Sequence, residues 1–522
     1  MINRKLKKIL KQNTIHSPRP KQADAPAVGP RISRRTLIRG AQVAACLLLV
    51  CAMGIGYVAM VRMVGPQGDP NDTTPAAPGL QPTDTRDPGM DTGLDVVETC
   101  PPYSPDDTTY QAVEKQETFN GKKLVLAEPF KSGTSGDWWE YANPDMTADS
   151  VDMINLYRIM LTESALQCNT MQSASAYDHY VNWVKISSLT GNDAAIVTGN
   201  AELIGTLARQ GLLEDLRIPD AAVHLDFSSA DWPESMVEEL SINGKLYFVS
   251  GKISLNTMAS VSCVFADPKI DSKLGIDINK IVEEGKWTFD KMYALAADGK
   301  ASLNGLALYD HSILALGTAA GIRLADNTPA PHASLSNGTA LSFTDKLAEL
   351  VGAGAVKMVY AASSEHIYQL FVVDSIVSVS RSNEHRVLLP MPAVEEGESY
   401  LSPVGDGAVY YAIVKGSDVQ MAAAVMAKLA YYPNQPYAWD SRMQTYMDVL
   451  STRYTISGEK TVQNLEIAMD KMTFSLDAFL TSSVTYTTLK NAINAANTNA
   501  RRDILTQDYL ARVIEAQLGT IK

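Results

Sequence analysis

Ser457 and Lys460 have the spacing of S-x-x-K, the nucleophile motif of penicillin-binding enzymes. The partner motifs S-D-N and K-T-G are missing from the chain, and a four-residue match arises readily by chance. Phosphate-loop, H-E-x-x-H, G-x-S-x-G and EF-hand motifs are missing as well. A glycosidase would need only two separated carboxylates facing a cleft, which the sequence permits. These residues therefore favour a protein that is not an enzyme.

Metal and cofactor chemistry has equally little support in the sequence. The seven histidines show no ligand spacing, and the five cysteines include no C-x-x-C pair. Acidic pairs such as Glu238-Glu239 and Glu395-Glu396 are typical of solvated faces or loops. We therefore predict no metal site, no cofactor and no disulfide framework.

Polar residues at strand ends are the better candidates for chemistry, as ligand-binding groups. Thr198 and Asn200 follow the apolar strand candidate Ala194–Val197, and the carboxyl ends of α/β strands are where ligands bind. Tyr309 and Asp310 end a later strand candidate in the same way. Asn200 and Asp310 could instead cap the helices that follow them.

The charge of the chain is unevenly distributed along its 522 residues. Residues 1–62 contain 12 lysines and arginines against a single acid, whereas the other 460 residues carry 33 basic and 57 acidic groups. Such an acidic body excludes nucleic acid as an expected partner, because phosphate binding needs a basic face. The length and the 46% hydrophobic content indicate a globular protein with more than one domain or lobe.

A membrane segment explains this asymmetry. Residues 41–61, AQVAACLLLVCAMGIGYVAMV, carry no charge and are bounded by Arg39 and Arg62. At about 1.5 Å per residue such a helix spans a hydrocarbon core of about 30 Å. The positive-inside rule then predicts a basic cytoplasmic segment at 1–40 and a transmembrane helix at 41–64, with the body exported.

Two other processing routes remain open for this N-terminal region. Cys46 follows Val43-Ala44-Ala45 as in a lipobox, but it opens the apolar run instead of following it. Residues 33–39, SRRTLIR, resemble a twin-arginine export motif. No A-x-A cleavage site follows the apolar run, which favours a retained anchor.

The remaining chain divides into a stalk and a folded body. Nine prolines fall between residues 65 and 105, so 65–118 is predicted to be a disordered stalk rich in Pro, Asp and Thr. From residue 119 short apolar runs alternate with amphipathic stretches, which indicates an α/β fold. Asn243-Gly244 predicts a two-residue hairpin turn, and Thr288 predicts a helix cap.

Residues 231–255, DWPESMVEELSINGKLYFVSGKISL, resemble family 1 extracellular solute-binding proteins of ABC transporters. Further blocks resemble the family in the same order along the chain: TGND at 190–193, ARQGLLEDL at 208–216, EEGKWT at 283–288, LPMP at 389–392 and YLSP at 400–403. The sequence departs from the family where F-N-K is replaced by Phe265-Ala266-Asp267 and where the lipoprotein cysteine is replaced by a membrane helix.

The resemblance implies a two-lobed, type II periplasmic-binding-protein-like fold over 119–522, similar to that of maltose-binding protein. Lobe one would hold about 119–258 and 375–430, and lobe two about 259–374 and 431–522. A strand at Val261–Ala266 would leave lobe one, and a strand near Ser375–Ser380 would return to it, with the ligand held in the cleft between the lobes.

Aromatic residues are expected to complete the ligand site, since sugars stack on aromatic faces. Trp138 and Trp139 follow the first strand, where the fold of this family opens to the cleft, and Tyr437 and Trp439 lie in a Pro/Asn-rich loop. By contrast, Trp232 and Trp287 occupy family positions that imply core packing.

The implied function is a membrane-anchored extracellular substrate-binding subunit of an ABC importer. Its partners would be a small sugar-like ligand, the permease subunits and the membrane through residues 41–64. The alternative is a cell-surface sensory or interaction module that kept the fold and lost transport.

The sequence predicts the topology of the chain in the cell membrane. Protease added to intact cells should remove the body and leave a small basic stub, because residues 1–40 are cytoplasmic and residues 65–522 external. Metabolic lipid labelling should be the same in the native chain and in Cys46→Ser. A label lost with that substitution would instead establish an acylated lipoprotein.

Overall fold

The computed structural model describes most of the chain from residue 118 onward. The described ranges are 118–130, 150–190, 195–298, 305–327, 330–335, 338–358, 370–377, 386–434, 437–439, 442–444, 447, 450–451, 458–480, 482–506 and 508–521. The predicted cytoplasmic segment, membrane helix and almost all of the stalk lie outside these ranges. Within them, no helix combines the length and the apolar character that crossing a membrane requires.

Strands and helices alternate along the described chain. The strands are β1 (Lys123–Phe130), β2 (Asn169–Ala176), β3 (Ile196–Gly199), β4 (Ser262–Ala266), β5 (Leu306–Leu308), β6 (Ala325–Asp326), β7 (His332–Ala333), β8 (Val356–Met358), β9 (Phe371–Ser375), β10 (Val387–Leu389), β11 (Ser402–Pro403), β12 (Tyr410–Ile413), β13 (Tyr437–Trp439), β14 (Arg442–Gln444) and β15 (Met472–Thr473). The helices are α1 (Ser150–Leu166), α2 (Tyr177–Thr190), α3 (Ala201–Arg209), α4 (Pro219–Ala222), α5 (Glu234–Glu239), α6 (Leu255–Ala259), α7 (Ile270–Leu274), α8 (Ile278–Glu283), α9 (Phe289–Ala297), α10 (Asp310–Ala319), α11 (Gly338–Gly352), α12 (Val419–Tyr431), α13 (Glu459–Asp470), α14 (Ser482–Ile493), α15 (Thr498–Leu505) and α16 (Asp508–Gln517). Two 3-10 turns lie at Tyr432–Asn434 and Leu476–Phe479.

The first sheet has the strand order β12-β3-β1-β2. β1 pairs in parallel with β2 and β3, and β12 closes the other edge antiparallel to β3. The strands β3 and β12 are buried along their whole length, as expected for the apolar runs of a sheet covered on both faces. Helix α3 buries Leu203, Ile204 and Leu207, whose spacing places them on one face of the helix. The helix begins at Ala201, two residues after the end of β3.

The second sheet has the order β10-β4-β9-β5-β8. β4 runs antiparallel to both β9 and β10, whereas β5 lies parallel to β9 and β8. Trp287 is fully buried beside this sheet, where its indole N–H donates to the Pro390 carbonyl at 2.9 Å. Trp232 is also buried, with its ring 5.4 Å from that of Phe227. The predicted core roles of both tryptophans are confirmed.

Three chain segments run side by side where the two sheets meet. Val261 forms a bridge with Val404, and the Gly405 N–H donates to the Ser260 carbonyl at 2.9 Å. β11 pairs in parallel with β15, which brings the C-terminal part of the chain to the same place. We call this region, residues 260–262, 402–407 and 472–475, the junction.

The chain returns to the first sheet later than the expected boundary at residue 375. β9 ends at Ser375, but β10 then pairs with the free edge of β4, with Val387 opposite Ala266. The return takes place through β11 into β12. A short apolar strand fits the edge of either sheet, so its pattern cannot decide between them.

The C-terminal segment also departs from the expected lobe boundary. Phe479, placed in lobe two by the resemblance, stacks on Phe248 at 4.5 Å and lies 4.9 Å from the ring of Tyr410 in the first sheet. Aromatic rings pack wherever apolar area is available, irrespective of distance along the chain. Phe474 and Phe479 therefore pack in the core of the first sheet.

The predicted turn at Asn243-Gly244 is confirmed by φ values of 51° and 76° and by the bridge between Ile242 and Lys245. The flanking residues do not extend into hairpin strands, because their backbones bond elsewhere. The Leu246 carbonyl, for example, accepts from the Leu216 N–H at 2.7 Å.

Candidate ligand-binding cleft

Two cavities lie on either side of the junction, and both are lined by Gly405, Asp406 and Ala478. The first has a volume of about 300 Å³, and we call it the hinge cavity. Its other polar lining includes Ser262, His311, Thr318, Ser375, Thr473, Ser475 and Asp477. The second, of about 310 Å³, is called the strand-end cavity. Its other polar lining is Asn200, Glu202, Thr206, Arg209, Tyr410 and Gln517.

Asn200 occupies the strand-end cavity where β3 gives way to α3. Its side-chain oxygen accepts from the Leu203 N–H at 3.1 Å, so it caps the helix. Its amide nitrogen donates to the Tyr177 hydroxyl at 3.3 Å. Burial raises the pKa of Tyr177, which keeps that phenol neutral and able to donate in turn. Asn200 is therefore the helix cap and also lines a cavity, while its role in ligand binding stays a prediction.

Arg209, the last residue of α3, also lines the strand-end cavity. Its guanidinium donates to the Thr206 hydroxyl at 2.8 Å and to the Gln517 carbonyl at 3.4 Å. Burial lowers the pKa of Arg209, while the charge of Glu202 acts in the opposite direction. The cation is thus tied to α3 and to the end of α16.

His311 brings the polar end of α10 to the hinge cavity. Its Nε2 lies 2.9 Å from the Asp374 carboxylate on β9, and its ring stacks parallel to Tyr309 at 5.4 Å. Asp374 also accepts from the Ser375 N–H at 2.7 Å. The carboxylate fixes the orientation of the imidazole, as it does in other histidine–carboxylate pairs.

Asp477 is the buried carboxylate of the hinge cavity, with 1% of its surface exposed. It accepts from the Leu324 N–H at 2.9 Å and the Ala325 N–H at 2.8 Å. Burial raises the pKa of Asp477 to about 6, although these N–H groups and the charge of Arg323 act to lower it. Desolvation therefore outweighs the stabilisation that the protein supplies to this anion.

The structure places the predicted ligand residues in different surroundings. Asn200 lines a cavity, whereas Thr198 is buried in the sheet and donates to the Ala127 carbonyl at 3.3 Å. Tyr309 is buried as the residue before α10, and Asp310 is the first residue of that helix. The other candidates lie on β13 or outside the described residues: Tyr437 and Trp439 on β13, Trp138 and Trp139 outside.

Sequence reasoning did not select His311, Asp374, Asp406 or Asp477. His311 directly follows the candidates Tyr309-Asp310, and Asp406 stands between two glycines just after the Y-L-S-P block, so both had a local signal. Asp374 and Asp477 had none, because their partners lie 63 and 153 residues away along the chain.

Solved structures share this fold with the chain. The cyclic alpha-maltosyl-1,6-maltose binding protein from Arthrobacter globiformis has a TM-score of 0.52 at 14% identity, covering 76% of this chain and 99% of its own. A sugar transporter protein from Rhizobium etli, in an open conformation, has a TM-score of 0.50 at 13% identity, covering 75% and 100%. No protein-family model matches the chain, and no curated protein matches it in sequence. The predicted maltose-binding-protein-like fold, with two α/β lobes, is confirmed.

The raised pKa of Asp477 predicts a specific pH dependence of stability. Its pKa is about 6 in the folded chain and 3.8 in the reference state, so the folded form binds the proton more tightly. The stability that this proton contributes is present at low pH and lost as the pH rises through about 6. The unfolding free energy of the native chain, relative to that of Asp477→Asn, should fall by about 3 kcal/mol between a pH below 3.8 and a pH above about 6.

Urea unfolding at a series of pH values measures this difference. Asp220→Asn changes an exposed carboxylate that lines neither cavity and should leave the pH profile unchanged. Parallel profiles for the native chain and Asp477→Asn would contradict the prediction.

Proposed function

We propose that the chain is the membrane-anchored, extracellular substrate-binding subunit of an ABC importer, with a carbohydrate or oligosaccharide as its ligand. The observation that carries the proposal is the pair of polar cavities at the junction of the two sheets. Ser262 and Ser375 of the second sheet line the hinge cavity, and Tyr410 of the first sheet lines the strand-end cavity. A ligand that extended across Asp406 into both cavities would therefore touch both lobes.

The lining chemistry suits a polyhydroxylated ligand. The hydroxyls of Ser262, Thr318 and Ser375 can both donate and accept, while the Asp406 carboxylate accepts hydrogen bonds from sugar hydroxyls. The Asn200 amide adds a planar group that can pair with neighbouring hydroxyls. We infer that the chain binds this ligand without transforming it. Hydrogen-bonding groups that match the hydroxyls of the ligand are sufficient for binding, and binding does not need an activated nucleophile.

The fold supports a role in transport. The Arthrobacter globiformis protein with this fold binds a cyclic maltosyl-maltose, and closure of two lobes around a ligand gives a shape that a permease can distinguish from the empty form. Anchoring through residues 41–64 would keep the body beside its permease. The proposal of a membrane anchor is supported by the uncharged apolar run and by the arginines on either side of it.

A ligand screen tests this function directly. Full-length protein, solubilised in a detergent without a sugar head group, is mixed with neutral, amino and acidic oligosaccharides and, as controls, with peptides. At least one class of oligosaccharide should raise the melting temperature, because ligand binds only the folded state. The same ligand should reduce the radius of gyration measured by small-angle scattering, since the lobes close. If every sugar leaves both quantities unchanged, the sensory or interaction module becomes the better explanation.

Asn200 allows ligand binding to be separated from helix capping. Asn200→Ser keeps a capping oxygen but removes the amide, so stability should be kept while sugar affinity falls about tenfold. Asn200→Ala removes both, and should in addition lower stability by about 1 kcal/mol. Calorimetric titration and thermal unfolding of the two variants provide the comparison. Native affinity in Asn200→Ser would show that Asn200 is only a cap.

A further inference from the structure

The described lining of the two cavities carries more anions than cations. Glu202, Asp406 and Asp477 contribute carboxylates, and Arg209 contributes the single permanent cation among these described residues. His311 is already paired with Asp374. The described walls are therefore net negative before a ligand arrives.

The three carboxylates differ in their surroundings, because Asp477 accepts backbone N–H groups whereas Glu202 and Asp406 accept none from the described residues. None of the three forms an ion pair with another described residue, although the charge of Glu202 acts on the pKa of Arg209 and the charge of Arg323 acts on that of Asp477. Asp406 is exposed in the segment that separates the cavities. Burial raises the pKa of the Tyr410 hydroxyl, and the charge of Asp406 raises it further. Asp406 is the carboxylate that both cavities share.

Lobe closure would make this negative charge costly. A closed cleft removes water from the carboxylates, and a desolvated anion without a counter-charge is strongly unfavourable. The hydroxyls of a neutral sugar can donate to a carboxylate but leave its charge uncompensated. An ammonium group supplies both the hydrogen bonds and the charge.

The hinge cavity also has neutral hydroxyl groups in its wall, which can bind the hydroxyls of a ligand. Ser262 on β4 stands opposite Ser375 on β9, and both line the hinge cavity together with Thr318. These neutral groups face the same space as Asp406. The wall thus combines a hydroxyl-binding surface with an uncompensated carboxylate.

We propose that the ligand carries a protonated amine among its hydroxyls, as an amino sugar or aminocyclitol does, and that Asp406 binds the ammonium group. This inference rests on the proposed function and specifies the ligand class of the same site. Anionic sugars are excluded by the same charge, because a carboxylate or phosphate would add to the repulsion.

Matched ligands that differ only in charge test the inference. The β-1,4-linked glucosamine tetramer and cellotetraose share one skeleton, with an ammonium group in place of each 2-hydroxyl, and glucosamine and glucose form a second pair. Titration calorimetry on the full-length protein, at a pH where the amines are protonated, should give at least about tenfold tighter binding for the amine of one pair. Added salt should reduce this preference, as expected for an ion pair.

Variants assign the preference to Asp406. Asp406→Asn keeps the shape and removes the charge, so the amine preference should disappear; Asp406→Ser serves the same purpose if the first variant is unstable. Asp220→Asn removes an exposed charge outside both cavities and should keep the full preference. Circular dichroism confirms that each variant is folded.

Each other outcome overturns a different statement. Equal or tighter binding of the neutral members would overturn the amine inference but leave the carbohydrate function intact. A preference that survives in both Asp406 variants would overturn the role of Asp406. Binding of other sugars but of neither pair would also count against the amine inference, whereas no binding of any sugar would instead remove the proposed function.

Discussion

The close packing of residues 403–407 on Ser260 is the contact on which the arrangement of the two sheets depends. A Cβ on Gly407 would lie 2.4 Å from the Ser260 hydroxyl, and one on Gly405 would lie 3.0 Å from the Ser260 carbonyl. Because Gly405 and Gly407 have no side chains, residues 403–407 can pack directly against Ser260. This contact brings the outgoing strand β4 and the returning segment together, and it leaves a cavity on each side.

A distant part of the chain then fixes the junction. Phe474 and Phe479 pack on Tyr410 in the first sheet, while Asp477 between them accepts two backbone N–H groups from residues 324–325. One short segment thus holds an apolar contact with one lobe and a polar contact with the other. Burial of its carboxylate is tolerated because the N–H groups replace part of the lost hydration.

The carboxylates around the cleft differ in how their charge is compensated. Asp374 orients an imidazole, Asp477 is held by backbone N–H groups, and Asp406 remains exposed between the cavities. The first two have structural partners: Asp374 orients His311, and His311 and Asp477 line the hinge cavity. The third is exposed and forms no ion pair with another described residue, and for this reason we propose that it selects the charge of the ligand.

The sequence by itself determined the local features of this protein. The apolar β3 strand, the capping residue Asn200 and the amphipathic α3 follow each other directly, so their pattern predicted both the elements and a cavity-lining residue. The turn at Asn243-Gly244 and the cap at Thr288 were equally local. The aromatic candidates, the membrane helix and the stalk stay predictions.

Only the tertiary structure decided which distant segments share a surface. The addition of β10 to the edge of β4, the packing of Phe479 on the first sheet and the His311–Asp374 pair all join segments that are far apart in sequence. Such contacts depend on complementary apolar area and unpaired backbone groups. A linear pattern of residue types records the presence of these groups but not the partners with which they pack.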